Sequence, residues 1–584
     1  MNRSNHTATR TSALLDSKYW EFFVPTILMA MTLTMSIVVD SIIVGNMLGA
    51  DALAAVNLVM PLMMTYNTVA VCLGLGAATL ISVAKGRRDP NYANIVFTTV
   101  LFFLTFIGVS LLACQVSFID GIIQVLTREP SLRPLVKSYV HVLMYGTPLI
   151  VIVPGLAYCL RVDGQVKLAS TVLIISNLVN LALDLVFMGP LHLGIAGSSL
   201  ATVSGYLIGA LCLLPYVFSK TRTLRLVPVA FTRGLELLRE LVTIVKTGFP
   251  AAMGSILITF KILCINHIVL AVADKSGMVA FSVCISCLSF VSMFISGAAQ
   301  AMTPIVGVLY GEKDYLGVRF IVRRAVFTLM IASIAATLLL ETAPAQILEI
   351  FGVRHAMDIA LGIPAIRIFS LSLIGTSTTF LSMYYYMTTG HTKLSTAIAV
   401  VQGAAVVPIA FGLSRFMGIS GVWTAFSLAE IVTILMIAVW YLSLKRKNPG
   451  KYQSPLLLDL EKLPKGPCLE TTGTGEGFAE VLHRVDDFIE SRKTSREIAG
   501  TVQSAIRDTT AVIFTHISGQ EQAGHVDLKM DVLEDKIIVT LRSKGRGRSQ
   551  STDAELLEKL GKTCDIECSQ AIGFNNYTVT FDMA

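Results

Sequence analysis

The chain has 584 residues, of which 54% are hydrophobic and only 15% are charged, and its mean hydropathy is +0.69. A soluble domain usually carries about 25% charged residues, so this composition excludes an ordinary soluble enzyme or binding module. The net charge of +7 does not indicate nucleic-acid binding, because most basic residues stand in short segments between apolar runs. That distribution is typical of a membrane protein with several spans.

Twelve apolar runs follow one another along the first three quarters of the chain. About 20 apolar residues suffice to cross a bilayer, and we therefore predict an all-α polytopic membrane protein with twelve transmembrane helices. The first run is too long for the core of a signal peptide and is predicted to be retained. The predicted cores are residues 22–44, 54–83, 93–117, 136–160, 168–188, 196–218, 243–272, 278–308, 318–340, 357–388, 394–413 and 420–443.

The loops between the runs predict the orientation. Loops after the even-numbered runs are rich in Lys and Arg, and such loops face the cytoplasm; Arg161 and Lys167 are assigned to the loop after run four. An even number of spans then places both termini in the cytoplasm. The expected location is the bacterial inner membrane.

Two short motifs recur at nearly the same offset. Lys85–Asp89 resembles Tyr310–Asp314, 225 positions later, and Gly194–Gly197 resembles Gly418–Gly421, 224 positions later. Matching span order and matching offsets predict two six-helix lobes in the same orientation, as in parallel transporter repeats. The predicted divisions are an N-terminal lobe 1–218, a cytoplasmic inter-lobe linker 219–242 and a C-terminal lobe 243–445.

Two aspartates lie within apolar runs. Asp40 stands five residues before Gly45, and Asp184 stands five residues before Gly189, so both carboxyls are predicted about 7 Å inside the same membrane boundary at 1.5 Å per residue. An ionisable group at that depth costs about 3 kcal/mol or more and is rare without a function or a partner. We predict an ion-coupling site at this pair. A carboxyl that is only hydrogen-bonded to a helix end or a loop remains the alternative.

Asparagines accompany the second aspartate. Asn177, Asn180 and Asp184 stand at positions i, i+3 and i+7 and therefore share one face of a helix. Carboxylate and amide oxygens suit a proton or a small hard cation. The predicted coupling ion is H⁺ or Na⁺; no other metal site and no cofactor are predicted.

Pro25 is placed one turn into the first predicted span. It removes a backbone hydrogen bond and can kink a helix. We predict a hinge that lets this span bend when Asp40 is protonated, while a proline tolerated in a first helical turn remains the alternative.

Several stretches resemble the motifs of one transporter family. They are residues 39–56 with Asp40 and Gly45, residues 180–197 with Asp184, and Gly248-Phe-Pro250 at the start of run seven. Over about residues 15–445 the chain resembles the multidrug and toxic compound extrusion (MATE) transporters. The resemblance implies two lobes that alternate between outward-open and inward-open states. It also implies export of organic cations or drugs against an H⁺ or Na⁺ gradient, with the coupling role assigned to first-lobe aspartates at the positions of Asp40 and Asp184.

The second lobe departs from the first. Ile265 and Pro408 occupy the positions offset from the two aspartates, and neither is acidic, so coupling is predicted in the first lobe alone. Lys261, Arg367 and Glu430 are predicted at a substrate site or a lobe interface. Glu430 is expected to pair with Lys261 or Arg367, and snorkelling of Lys261 remains an alternative.

Methionines and aromatic residues, Tyr66 among them, are predicted to line an adaptable cavity. Ordinary core packing or contact with lipid remains the alternative for each of them.

The composition changes after the last run. Residues 446–475 are predicted to be a polar linker, and residues 476–584 a small cytoplasmic α/β domain. Its predicted elements are helices at 476–491, 495–516 and 552–561 and strands at 526–532, 537–541 and 577–581. This order resembles the ATPase domain of anti-sigma-factor and histidine kinases. Val512 and the stretch 543–547 depart from that family's nucleotide motifs, so we expect a regulatory or partner-binding module that no longer hydrolyses ATP.

The sequence thus predicts a secondary antiporter, not an enzyme, that exports organic cations or related small molecules. Its expected partners are membrane lipid, its small-molecule substrate and a cytoplasmic regulatory protein at 476–584, without nucleic acid. Two alternatives stay open: a flippase for lipid-linked sugars from the same superfamily, and a transporter-derived sensor that signals through its tail.

Overall fold

The structure is a computed structural model that describes residues 13–219, 222–227, 234–449, 451–452, 454–459, 468–474, 478–490, 496–517, 525–533, 536–544 and 565–582. Within these residues, twelve helices are long and apolar enough to cross a membrane, which confirms the predicted fold class. Their bounds are α1 Ala13–Leu48, α2 Ala50–Gly86, α3 Pro90–Leu126, α4 Arg133–Val162, α5 Val166–Met188, α6 Ile195–Phe218, α7 Glu236–Asp274, α8 Ser276–Gly311, α9 Tyr315–Thr342, α10 Ala356–Thr388, α11 Thr392–Met417 and α12 Ile419–Lys447.

The turns between the helices repeat from one lobe to the other. Asp89 caps α3 by accepting a hydrogen bond from Tyr92 N at 2.9 Å, and Asp314 caps α9 by accepting from Gly317 N at 2.8 Å. Four turn positions with positive φ recur 224 to 226 residues later: Gly49 and Asp274, Arg88 and Lys313, Gly164 and Gly390, Gly194 and Gly418. The same backbone conformations at the same offset confirm two six-helix lobes built on one plan.

The first turns of α1 depart from the predicted lobe boundary. Leu14, Leu15 and Tyr19 belong to the apolar core of the second lobe, and Asp16 forms an ion pair with Arg324 of α9 at 2.6 Å. The prediction that residues 1–218 form one lobe is therefore wrong for the start of α1, which crosses to the second lobe because its apolar face finds partners there.

Two further boundaries also differ from the prediction. The helix that contains α7 begins at Gly234, inside the predicted linker 219–242. Pro25 lies twelve residues after Ala13, the first residue of α1. The alternative of a proline tolerated in a first helical turn is therefore wrong, because α1 starts well before the apolar run.

A buried ion pair ties the inter-lobe segment to the first lobe. Lys85 Nζ lies 2.6 Å from Asp163 Oδ1, and the two side chains are 7% and 0% exposed. Tyr216 donates to Asp163 Oδ2 at 2.8 Å, and Thr223 N donates to the same oxygen at 3.2 Å. One carboxylate thus joins α2, the loop after α4, the end of α6 and the segment that leads to α7.

We expect Asp163→Ala to lower the free energy of unfolding by about 3–5 kcal/mol, because it leaves the Lys85 ammonium buried without its partner. The measurement is thermal unfolding of the detergent-solubilised protein. Asp120→Ala is the control, because it removes an exposed ion pair. Asp120 lies 2.7 Å from Lys137, and the two side chains are 73% and 52% exposed, respectively. The loss of this pair should cost less than about 1 kcal/mol. Equal losses in the two variants would contradict the role of the Asp163 network.

On one side of the membrane, the helix backbones of the two lobes are in direct contact. A Cβ added to Gly76 of α2 would lie 2.3 Å from Ile244 O of α7, and one added to Gly86 would lie 2.9 Å from the Cα of Gly311 at the end of α8. These contacts require glycine. We call this side the tail face; it consists of the loops that follow α2, α4, α8 and α10, residues 87–89, 163–165, 312–314 and 389–391.

A C-terminal domain lies on the tail face. Its helices are α13 (Phe478–Glu490) and α14 (Arg496–Ile517), and its strands are β1 (Cys468–Thr474), β2 (His525–Val532), β3 (Lys536–Lys544), β4 (Asp565–Ala571) and β5 (Phe574–Asp582). The strands form one antiparallel sheet in the order β1-β2-β3-β5-β4.

Two strands of this sheet were not predicted. β1 lies in the stretch predicted as a linker, and it is a strand because β2 supplies its hydrogen-bond partners. β4 was missed because its apolar alternation is short, and it forms a hairpin with β5. The helix predicted at 552–561 and the glycines of 543–547 lie outside the described residues, so the resemblance to kinase-type ATPase domains stays a prediction.

Candidate functional site

The two predicted aspartates meet where α1 packs against α5. Asp184 is fully buried, and its carboxyl group neighbours that of Asp40. Asp40 Oδ1 also accepts a hydrogen bond from Ser198 Oγ at 3.5 Å. Neither oxygen of Asp184 receives a hydrogen bond from a donor in the described part of the chain. Because two carboxylates in contact repel each other, the contact is favourable only with a proton or a cation between them.

Polar side chains surround the pair. Asn180 Oδ1 accepts from Ser36 Oγ at 3.4 Å, and Asn180 Nδ2 donates to Thr202 Oγ1 at 3.3 Å. Asn177, Asn180 and Asp40 line the space between the lobes, so the predicted stripe faces that space. Among the described residues, no group of three or more His, Cys, Asp or Glu could hold a metal ion; any cation here would depend on two carboxylates with amide and hydroxyl oxygens.

A cavity of about 640 Å³ lies between the two lobes. Its wall is largely apolar, and its charged side chains among the described lining residues are Asp40, Arg161 and Lys261. Leu33 and Met64 on this wall are 45% and 43% exposed, whereas the helices are in backbone contact at the tail face. The cavity therefore opens away from the tail face.

The division into two lobes also appears in a comparison with known families. The MatE family model matches residues 25–186 and again residues 250–412, which together make up more than half of the chain. The chain belongs to the MATE family. It is therefore a membrane transporter of the multidrug-efflux type and not an enzyme. The two matches begin 225 positions apart, so each lobe carries one copy of the family's unit.

Curated relatives cover most of the membrane part. The chain is 26% identical over 432 residues to the probable multidrug resistance protein YoeA of Bacillus subtilis, covering 72% of this chain and 92% of that protein. It is 20% identical over 401 residues to the multidrug export protein MepA of Staphylococcus saprophyticus, covering 68% of this chain and 88% of that protein.

Solved structures share the fold. One is described as the outward-facing conformation of a multidrug resistance MATE family transporter; it is 20% identical, has a TM-score of 0.68 and covers 74% of this chain and 96% of its own. Another, from Pyrococcus furiosus, is described by a reversed polarity of its binding pocket; it is 20% identical, has a TM-score of 0.67 and covers 73% of this chain and 95% of its own.

The second lobe of this MATE protein carries a polar cluster around Glu430 on α12. Glu430 is 6% exposed and accepts hydrogen bonds from Thr376 Oγ1 at 2.9 Å, Thr379 Oγ1 at 2.5 Å and Gln402 Nε2 at 3.2 Å. The charges of Lys261 and Glu430 attract each other, but Lys261 forms no ion pair within 4.0 Å among the described residues. The Nζ atom of Lys261 lies 5.7 Å from the centre of the Phe426 ring. Glu430 is thus bound chiefly by hydroxyl and amide donors.

Two predicted residues lie away from the cavity. Arg367 forms a long ion pair with Glu341 at 3.9 Å, and its side chain is 53% exposed, so it is not the partner of Glu430. Tyr66 is fully buried inside the first lobe, where it donates to Gln115 Oε1 at 2.6 Å. The prediction that Tyr66 lines the cavity is wrong, because its side chain packs inside the first lobe. Arg367 is not among the described residues that line the cavity.

Arg161 lines the cavity, although the sequence pattern did not indicate it. It was assigned to a loop, but α4 extends to Val162, and Arg161 is 3% exposed on the cavity wall. Its guanidinium donates to Gln300 Oε1 across the lobes and stacks over the Tyr158 ring at 5.3 Å. An arginine directly after an apolar run is indistinguishable from a loop residue unless the helix end is known.

Proposed function

We propose that this MATE protein is a secondary antiporter that exports organic cations and related drugs in exchange for H⁺ or Na⁺, with the ion bound at Asp40 and Asp184. The observation that carries the proposal is that Asp40, a half-buried residue on the cavity wall, neighbours the fully buried Asp184. Asp40 lines the cavity and Asp184 lies behind it, so an ion reaches the pair through Asp40.

Binding of the ion changes the charge at the contact between α1 and α5. A proton between the two carboxyls removes the repulsion between them, and its loss restores that repulsion in a partly buried site, where screening is weaker than in bulk water. This repulsion favours movement of the outer half of α1 relative to α5. Pro25 weakens the hydrogen-bond ladder of α1 below this region and supplies the hinge.

The wall of the cavity accounts for the substrate class. Thioethers and aromatic rings adapt to ligands of different shape, and Met64, Met293 and Phe380 contribute to the lining. The negative charge of Asp40 attracts an organic cation when the coupling ion has left. Ion and substrate thus compete for one charge, which is the requirement for exchange.

We assign the tail face to the cytoplasm. The basic loops predict this orientation through the positive-inside rule, and the C-terminal domain lies on the same face. The cavity then opens toward the outside, and export requires a second state in which the tail face opens.

A flippase for lipid-linked sugars is the less favoured candidate. It would need a wide groove with many cations, and Arg161 and Lys261 are the two cations among the described residues that line this cavity.

The test is accumulation of a fluorescent organic cation in everted membrane vesicles, with an H⁺ or an Na⁺ gradient imposed in turn. Wild type is expected to respond to one of the two ions. Asp40→Asn should lose the response, and Asp51→Asn, which changes an exposed aspartate in the first turn of α2, should keep it. Equal accumulation by Asp40→Asn and wild type at equal membrane abundance would overturn the coupling assignment.

A further inference from the structure

The sheet of the C-terminal domain has two different faces. Leu541, Val539 and Tyr577 belong to the apolar core that the sheet forms with α13 and α14. Side chains at the alternate positions point to the opposite face, and these face the membrane part. We call this the docking face; its residues used below are Arg542 on β3, Glu567 on β4, and Asn576 and Thr578 on β5.

The docking face binds the second lobe through a buried network. Arg542 donates to Glu312 Oε2 and, at 3.4 Å, to Asp314 Oδ2, and Asn576 Nδ2 donates to Glu312 Oε1 at 2.8 Å. The side chains of Arg542, Glu312 and Asp314 are 7%, 13% and 4% exposed. Glu312 and Asp314 form the loop between α8 and α9.

The same face binds the first lobe. Arg88, in the loop between α2 and α3, donates to Glu567 Oε2 at 2.6 Å and to Thr578 Oγ1. This ion pair is the more exposed one, at 30% for Arg88 and 62% for Glu567. The charges are opposite to those on the other lobe: here the membrane part supplies the cation and the domain supplies the acid.

The turn between β4 and β5 inserts at the boundary of the lobes. Its Gly573 meets Gly164 of the first lobe so closely that a Cβ on Gly164 would lie 2.8 Å from Gly573 N. Phe574 is 2% exposed, belongs to the apolar core of the second lobe, and lies 5.1 Å below the Lys18 ammonium of α1.

These contacts coexist only while the tail face is closed. The loops that carry Arg88 and Glu312 are equivalent in the two lobes, and they touch through Gly86 and Gly311. On the domain, the binding residues are fixed on neighbouring hydrogen-bonded strands about 5 Å apart. A sheet of fixed width cannot follow both loops when the lobes separate.

The structure assigns the C-terminal domain as a clamp: it holds the two lobes together at the tail face, and it must release one lobe before that face can open. This regulation rests on the proposed exchange between two lobe arrangements. The first lobe is the side released, because its Arg88–Glu567 ion pair is exposed, whereas the contact with the second lobe is buried and has several hydrogen bonds. Whatever stabilises the released domain then favours the open tail face.

The test is hydrogen–deuterium exchange of the full-length chain in lipid nanodiscs, without substrate or ion gradient. The readout is amide exchange in residues 76–86 of α2 and 300–311 of α8, which form the closed contact. We expect Arg88→Glu and Arg542→Ala each to speed this exchange by at least about tenfold, since both remove a contact that keeps local opening rare. The double variant Arg88→Glu with Glu567→Arg, which restores the ion pair in reverse, should return to wild-type protection.

Arg87→Glu is the matched control, because it makes the same charge change at the exposed neighbour of Arg88 and should leave exchange unchanged. Slow exchange in β3 and β5 verifies that the domain remains folded in Arg542→Ala, and Arg88→Glu alters no residue of the domain. Wild-type exchange in both single variants would overturn the clamp. The readout needs no transport, so failure of the coupling proposal and failure of the clamp are separate results.

Discussion

Asp184→Asn is expected to reduce gradient-driven export at least about tenfold, because it removes an ionisable group from a buried site rather than weakening an accessory contact. Asparagine has nearly the same shape, and its amide can donate to Asp40. The variant should therefore fold and reach the membrane. What it loses is the second carboxyl, and with it the repulsion that drives the exchange. The measurement is the initial rate of export by Asp184→Asn and by wild type at equal abundance in the membrane.

The same pair gives a sharper test through non-additivity. If Asp40 and Asp184 act as one site, the double variant Asp40→Asn with Asp184→Asn should export no worse than either single variant. Independent roles would instead multiply the two losses. A double variant that is much worse than both singles would contradict a shared site and would favour the structural alternative for at least one aspartate.

Gly248→Ala is expected to have the second large effect, on the closed state of the tail face. Gly248 lies where α7 crosses α2, and a Cβ there would lie 1.9 Å from Cys72 O, a distance that real Cβ atoms do not adopt. The two helices must separate by more than an ångström to accept one methyl group. Overpacking of this kind usually costs about 1–3 kcal/mol, which is enough to disfavour the closed arrangement.

The measurement is thermal unfolding of the solubilised protein together with export. Both should fall in Gly248→Ala, and Gly76→Ala, in the same contact, should act in the same direction. Gly121→Ala is the control, since no atom lies within 4 Å of its added Cβ; it should behave as wild type. A Gly248→Ala protein with wild-type stability and export would mean that the two helices slide past each other without cost.

The Gly248-Phe-Pro250 motif shows what the sequence indicates and what only the structure explains. As a motif it indicated the family, but it did not reveal why glycine stands there. The reason is a partner in α2, more than 170 positions earlier in the chain, whose backbone approaches too closely for any side chain. Asp163 is similar: in the sequence it is one acidic residue in a short loop, and only the fold surrounds it with Lys85, Tyr216 and Thr223.

Local pattern was sufficient for what depends on local chemistry. A bilayer demands long apolar helices, so the twelve spans and the two lobes were determined by the sequence itself. Contacts between segments far apart along the chain were decided by tertiary packing: the meeting of the two carboxyls, the burial of Arg161, the crossing of α1 to the second lobe, and the strands β1 and β4. The docking of the C-terminal sheet was also decided by tertiary packing. Arg542 and Glu312 become partners only when the soluble domain packs against a loop of the membrane part, and no local pattern in either segment indicates that contact.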